Sequence, residues 1–323
     1  MRNAFGTLSL ALALVAACHE ATSTKSGPPP THPSGNTASR LLGFGGRPFA
    51  IRVTHNGDVL VTEQDLNRAI HLDSVGATST NIAVGRDPGD VIANRTGTQA
   101  FVSNFNDGTV SIVDLSSNTA TKTVAVSLSN AYRLSFNSDE SRVYVTSTDG
   151  HLYTINTSSQ SSGPSVTLSG SVQGIALMHS GQALFVTATD GTIWRLDPSS
   201  LATSKSASIT NCTAQDVAIS TDDTELYVAC EGVGVAVLDP TSLVTKTLIT
   251  ISGASPFGLA VSPDNAQLYV TSPIGGVVTI LDRAGRTVIK SLPVTGMPRR
   301  VAFNAHGNKA YIANEGNWVD VIE

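Results

Sequence analysis

The sequence predicts an all-β fold: a seven-bladed β-propeller of four-stranded antiparallel blades, with an N-terminal strand completing the last blade. Three observations predict it. A short apolar strand recurs seven times, as VLVTE (Val59–Glu63), AFVSN (Ala100–Asn104), VYVTS (Val143–Ser147), LFVTA (Leu184–Ala188), LYVAC (Leu226–Cys230), LYVTS (Leu268–Ser272) and AYIAN (Ala310–Asn314). The copies are about 42 residues apart, the period of one propeller blade. The composition, 41% hydrophobic but only 14% charged and rich in Ser, Thr, Val and Gly, suits strands and turns better than surface helices.

Each repeat opens with a short apolar strand and a turn built from Asp, Asn or Gly, such as Ser262-Pro263-Asp264-Asn265 or His55-Asn56-Gly57-Asp58. Such residues set turn dihedrals or bond their own backbone. The VLVTE-type strand follows, then a Gly-containing loop and a third strand ending at Asp73, Asp114, Asn156, Asp197, Asp239 or Asp282. A Ser/Thr linker and a fourth strand complete the unit. Strands apolar on both sides, such as Val217–Ser220 beside Leu226–Ala229, belong in a sheet sandwiched between two neighbours. The seventh repeat stops at Glu323 after its third strand. Arg40-Leu41-Leu42-Gly43-Phe44-Gly45-Gly46 reads as the missing fourth strand, with Leu41 to Phe44 as its centre. This arrangement closes the ring and removes an exposed sheet edge.

The chain divides into residues 1–17, 18–39 and 40–323, the last being the propeller. Arg2 followed by the ten-residue apolar run Leu8–Ala17 has the form of an export signal, too short to cross a bilayer. Its end, Val15-Ala16-Ala17-Cys18, resembles the bacterial lipoprotein signal. That resemblance implies acylation of Cys18 as the mature N-terminus and contact with membrane only through the lipid. His19, where an inner-membrane retention signal carries Asp, points to the outer membrane. Glu20 to Ser39 is a Ser/Thr/Pro/Gly tract with few apolar side chains. It is expected to be a disordered tether, with His32 solvated. The net charge of −5 lacks the basic footprint that nucleic acid requires.

The LYVTS-type second strand, the third strand Thr109-Val110-Ser111-Ile112-Val113-Asp114 and the first-strand run Ala260 to Asp264 resemble the YVTN family of β-propeller repeats. The resemblance covers residues 41 to 323 and implies an exported or surface protein. It implies little about activity, because a fold does not dictate function. No Gly-His or Trp-Asp pair recurs, which separates the chain from WD40 repeats.

The first residues of the inner strands vary while the strands around them repeat: Ala50, Asp90, Arg133, Gly174, Asp216, Gly258 and Arg300, preceded by Phe49, Gly89, Tyr132, Gln173, Gln215, Phe257 and Arg299. Asp90, Tyr132, Arg133, Asp216, Phe257, Arg299 and Arg300 are therefore expected to line a funnel mouth for a small polar or peptidic ligand. The competing arrangement pairs acid with base across the channel and wedges the aromatics between blades. Glu63, Glu231 and Glu315 end second strands on one side and are expected as rim carboxylates. They suit solubility, or in pairs a cation or acid–base chemistry. His55, His179 and His306 fall in the first turns of repeats one, four and seven; two histidines without a third ligand make a poor zinc site. No HxxxH, CxxC, DxDxDG or Gly-x-Ser-x-Gly pattern occurs, so neither metal nor cofactor is expected. Cys212 and Cys230 meet at one end of a hairpin folded at Asp222, which favours a disulfide in an oxidising envelope. These readings favour a non-enzymatic binding or scaffolding protein of the cell envelope, its partner an envelope protein or a small ligand. A lactonase- or lyase-like propeller enzyme and a surface-layer or adhesion module are the alternatives.

Overall fold

In a computed structural model, which describes residues 29–41, 44–74, 78–127, 130–253 and 255–323, every repeat folds into its own antiparallel sheet. The export signal, Cys18 and the first part of the expected tether lie outside the described residues. The inner strands are Pro48–Val53, Pro88–Ala93, Ala131–Phe136, Val172–Leu177, Thr213–Ile219, Leu259–Val261 and Pro298–Phe303. Each packs against the next, and the last returns to the first. The result is a closed seven-bladed ring.

The burial pattern explains the ring. Second strands such as Val59–Glu63 and Leu184–Ala188 are buried at every position, and alternate side chains serve opposite neighbours. In the second blade, Ala100 and Val102 pack with Leu60, Ala69 and Ile82 of the first blade, whereas Phe101 packs with Leu134, Val143 and Val145 of the third. Seven such clusters lie between adjacent blades. The core is a ring of interfaces, because the side chains of a strand alternate between the two faces of its sheet.

The closing strand is displaced from its expected position. It spans Ala38–Leu41 and pairs antiparallel with Trp318–Ile322, Arg40 opposite Asp320. Arg40 fixes this register: its guanidinium stacks 4.1 Å from the Trp318 ring, lies 3.6 Å from Asp320 and donates to the Val294 carbonyl. Phe44 leaves the strand and is buried with Ile51, Val61 and Val319 between the seventh and first blades. The chain also engages the propeller before residue 40. The Thr31 amide donates to the His306 carbonyl, His32 lies 2.5 Å from Asp264, Tyr269 donates to the Pro33 carbonyl, and the Gly35 amide donates to the Glu323 carbonyl. His32 is thus an anchor, where a solvated residue was expected. In the third blade the outer strand is split into Ser161–Ser162 and Val166–Thr167. Pro164 sits in the gap, where it has no amide to donate to a ladder.

Candidate functional site: a capped central channel

The central channel has a head end, where the inner strands begin, and a turn end, where they hand over to the second strands. At the head end the expected mouth is filled. Phe49 meets Phe257 at 5.9 Å and Tyr132 at 6.3 Å between ring centroids, and Phe105 supports Tyr132 at 5.7 Å. Phe49, Tyr132 and Phe257 come from the first, third and sixth blades, which touch only by crossing the channel axis. Arg299 stacks over Phe257 and Phe49, at 4.7 and 5.5 Å. Arg300 stacks over Phe257 at 4.6 Å and donates to the Tyr132 hydroxyl. Aromatic rings and guanidinium planes associate in this way because the ring quadrupole attracts cations.

Beneath this cap lies a charged layer. Arg133 reaches Asp90 at 3.0 Å with Nη1 and Asp216 at 3.3 Å with Nη2, while Arg300 Nη1 lies 2.7 Å from Asp216. Both aspartates are nearly inaccessible, and each also accepts a backbone amide, Asp90 from Leu134 and Asp216 from Leu259. Burial depresses the Arg133 pKa, but the carboxylates of Asp216 and Asp90 outweigh it and hold the group above its ordinary value. Close packing of the remaining inner strands needs small residues. A side chain at Gly258 would collide with the Arg299 carbonyl, and one at Gly174 would meet Thr187 and the Val217 amide.

Below the charged layer the channel widens into a cavity of about 580 Å³ that reaches the turns at Asn137, His179 and Thr221, and all seven blades line it. The opening is therefore at the turn end. Arg133, Asp216 and Arg300 form its floor, whereas Tyr132, Phe257 and Arg299 belong to the cap on the far side. At the head end the aromatics pack on one another across the axis, and beneath them acid pairs with base across the channel.

The three glutamates do not form a shared rim. Glu63 is fully buried; it accepts the Gly46 amide and pairs with Arg68. Glu231 accepts from Gln215 and Ser255. Glu315 pairs with Arg299 at 2.6 Å and Arg47 at 3.6 Å. Glu63 holds the entry loop of its own blade, whereas Glu231 and Glu315 each also reach the loop that enters the next blade, at Ser255 and Arg47. His179 lies 3.2 Å from Asp223 in a neighbouring turn. Among the described residues no group of three or more His, Cys, Asp and Glu is placed to hold a metal ion. Cys212 and Cys230 are joined by a disulfide beside the inner strand of the fifth blade.

Sequence reasoning passed over Arg52. It lines the cavity and is accessible to solvent there. Crowding by protein lowers its pKa, an effect opposed by the Asp90 carboxylate. The signal was present in the repeat: at the third residue from Ala50 and its equivalents stand Arg52, Ile92, Ser135, Ala176, Ala218, Ala260 and Ala302. A column of mostly small side chains contains one arginine.

No protein-family model matches the chain, and no curated protein matches it. Among solved structures it is similar to Kuenenia stuttgartiensis hydrazine synthase, with a TM-score of 0.74 and 18% identity over 87% of this chain and 96% of that one. The likeness is one of fold. It agrees with the ring of seven four-stranded blades and carries nothing about chemistry.

Proposed function

We propose that this chain is a non-catalytic, ligand-binding YVTN-type propeller of the bacterial envelope, exported, acylated at Cys18 and admitting its ligand through the turn end of the channel. The observation that carries this reading is the cavity itself: about 580 Å³, open at one end, with a fixed charged floor. That volume falls within the range of small-molecule sites. The aspartates of the floor are held by its arginines and by backbone amides, which suits a rigid base for binding. The described chain begins at the turn end, where Thr31 and His32 meet the turns of the seventh and sixth blades. A lipid on Cys18 would thus hold the open end toward the anchoring membrane, at a reach of about 20 Å for the intervening residues.

The reading is tested by thermal melts of the soluble propeller against a library of small metabolites. A ligand at a hundredfold excess over Kd raises Tm by roughly 4 °C for a chain of this size. The rise is lost in Ala260→Trp, which fills the cavity wall. A library that shifts nothing, or shifts that persist in Ala260→Trp, would overturn it, as would lactone turnover that disappears with Asp90→Ala. Incorporation of labelled palmitate, abolished by Cys18→Ser, tests the anchor.

A further inference from the structure

The charges in the channel do not balance. Three guanidinium groups, Arg52, Arg133 and Arg300, face two carboxylates, Asp90 and Asp216. The carboxylates are committed: Asp90 to Arg133, Asp216 to both Arg133 and Arg300. Arg52 lies in the same cavity with neither a hydrogen bond nor an ion pair among the described residues, sensing Asp90, Asp216 and Arg133 only through space. Unpaired donors remain in the floor as well. Arg300 is 2% exposed and its Nε has no acceptor, nor has the buried Nε of Arg133. A buried donor without an acceptor costs free energy, and an unpaired cation in a confined channel attracts a counter-charge more strongly than one in open water.

The other cationic groups near the opening are occupied. The Arg95 guanidinium donates to the Ser138 carbonyl and lies 3.6 Å from Glu140, and His179 meets Asp223. Between opening and floor the column that follows Arg52 around the ring is mostly small, with Ser135, Ala176, Ala218 and Ala260, while Ile92, Ile175, Leu177 and Val261 stand at the margins and are shared with the cores between blades. One free positive charge beside a narrow passage of mostly alanine methyl groups fits one negative charge on a slender apolar body. It does not fit a compact, multiply charged ion such as phosphate, which would need more free cations and would leave the walls unmatched.

We infer that the channel is a binding site for an organic monocarboxylate, its carboxylate seated on Arg52 and its apolar portion along the methyl groups of Ala176, Ala218 and Ala260. This deepens the ligand-binding reading and rests on it. The guanidinium plane presents paired donors matched to a carboxylate, and the one arginine in a column of small residues supplies them only once around the ring.

Isothermal titration calorimetry of the soluble propeller tests this, with octanoate as the probe, 1-octanol for the tail without the charge and inorganic phosphate for the charge without the tail. Octanoate is expected to bind the wild type, at least tenfold more weakly to Arg52→Ala and with intermediate affinity to Arg52→Lys. Octanol should be indifferent to Arg52→Ala, and phosphate should bind more weakly than octanoate. Arg52 makes no structural contact among the described residues, so the variants should melt like the wild type. Octanoate binding unchanged in Arg52→Ala overturns the inference, as does no octanoate binding at millimolar concentration, or phosphate binding more tightly than octanoate. If octanoate fails while another compound still raises Tm in a manner blocked by Ala260→Trp, the carboxylate inference falls and the ligand-binding reading survives. If Ala260→Trp leaves every shift intact, the cavity reading falls too.

Discussion

Asp216 holds the channel floor together. Its two oxygens serve different blades: Oδ1 meets Arg133 of the third, while Oδ2 meets Arg300 of the seventh and accepts the Leu259 amide of the sixth. Asp90 touches only Arg133 among the cations, besides its own backbone and that of the third blade. Removing one member of a buried ion pair leaves the partner charged and unsolvated, a cost of about 3–5 kcal/mol. Asp216→Ala strands Arg300, leaves Arg133 with Asp90 alone and removes an amide acceptor. Asp90→Ala leaves Arg133 with Asp216. Urea denaturation should therefore show the larger loss for Asp216→Ala, within that range, and roughly half of it for Asp90→Ala. Equal losses, or a loss below about 1 kcal/mol for Asp216→Ala, would mean that the floor is wetter and less coupled than its geometry implies.

At the scale of elements, the fourth residue of the VLVTE-type strand links neighbouring blades. The Ser103 hydroxyl donates to the Tyr132 carbonyl, Thr146 to the Gln173 carbonyl and Thr271 to the Arg299 carbonyl, each in the following blade. Thr187 holds the same place, but its buried hydroxyl has no partner. The two threonines should respond oppositely to valine, which keeps the shape and removes the hydroxyl. Thr271→Val loses hydrogen bonds and leaves the Arg299 carbonyl unpaired, costing about 1–3 kcal/mol, whereas Thr187→Val should be neutral or stabilising. A matching destabilisation in both, measured by chemical denaturation, would refute the link. The blades were legible because every copy carries this short apolar strand, with alternate side chains serving opposite neighbours. The closed head end was not, because its seal depends on Phe49, Tyr132 and Phe257 meeting across the axis, and no pattern within a single repeat encodes that meeting. Arg52 was readable in principle, but only by comparing one column across all seven copies. The segment before residue 38 was opaque for another reason: it is held by single polar anchors such as His32 on Asp264, without the apolar periodicity that marks a strand.

For the whole molecule, ring closure depends on residues far apart in sequence. The strand Ala38–Leu41 covers the edge of Trp318–Ile322, and residues 31–36 lie over the sixth and seventh blades. Without the first 41 residues, the seventh blade would have three strands and an open ladder of amides and carbonyls, an edge that recruits other chains. Trp318 would lose the guanidinium stacked on it. Asp320, whose pKa is raised chiefly by burial and held down in part by Asn314, Trp318 and Arg40, would lose its cation. A truncation starting at residue 42 should accordingly lose cooperativity and self-associate, read as a lower, broader melting transition and higher-mass species in light scattering. A truncation starting at residue 38 keeps the closing strand and loses only the anchors, so it should stay monomeric with a modest drop in Tm. The contrast separates two roles for the N-terminal segment. If both truncations behave alike, the strand does not carry closure; if the longer truncation melts as a sharp monomeric transition, the seven inter-blade cores hold the ring shut without it.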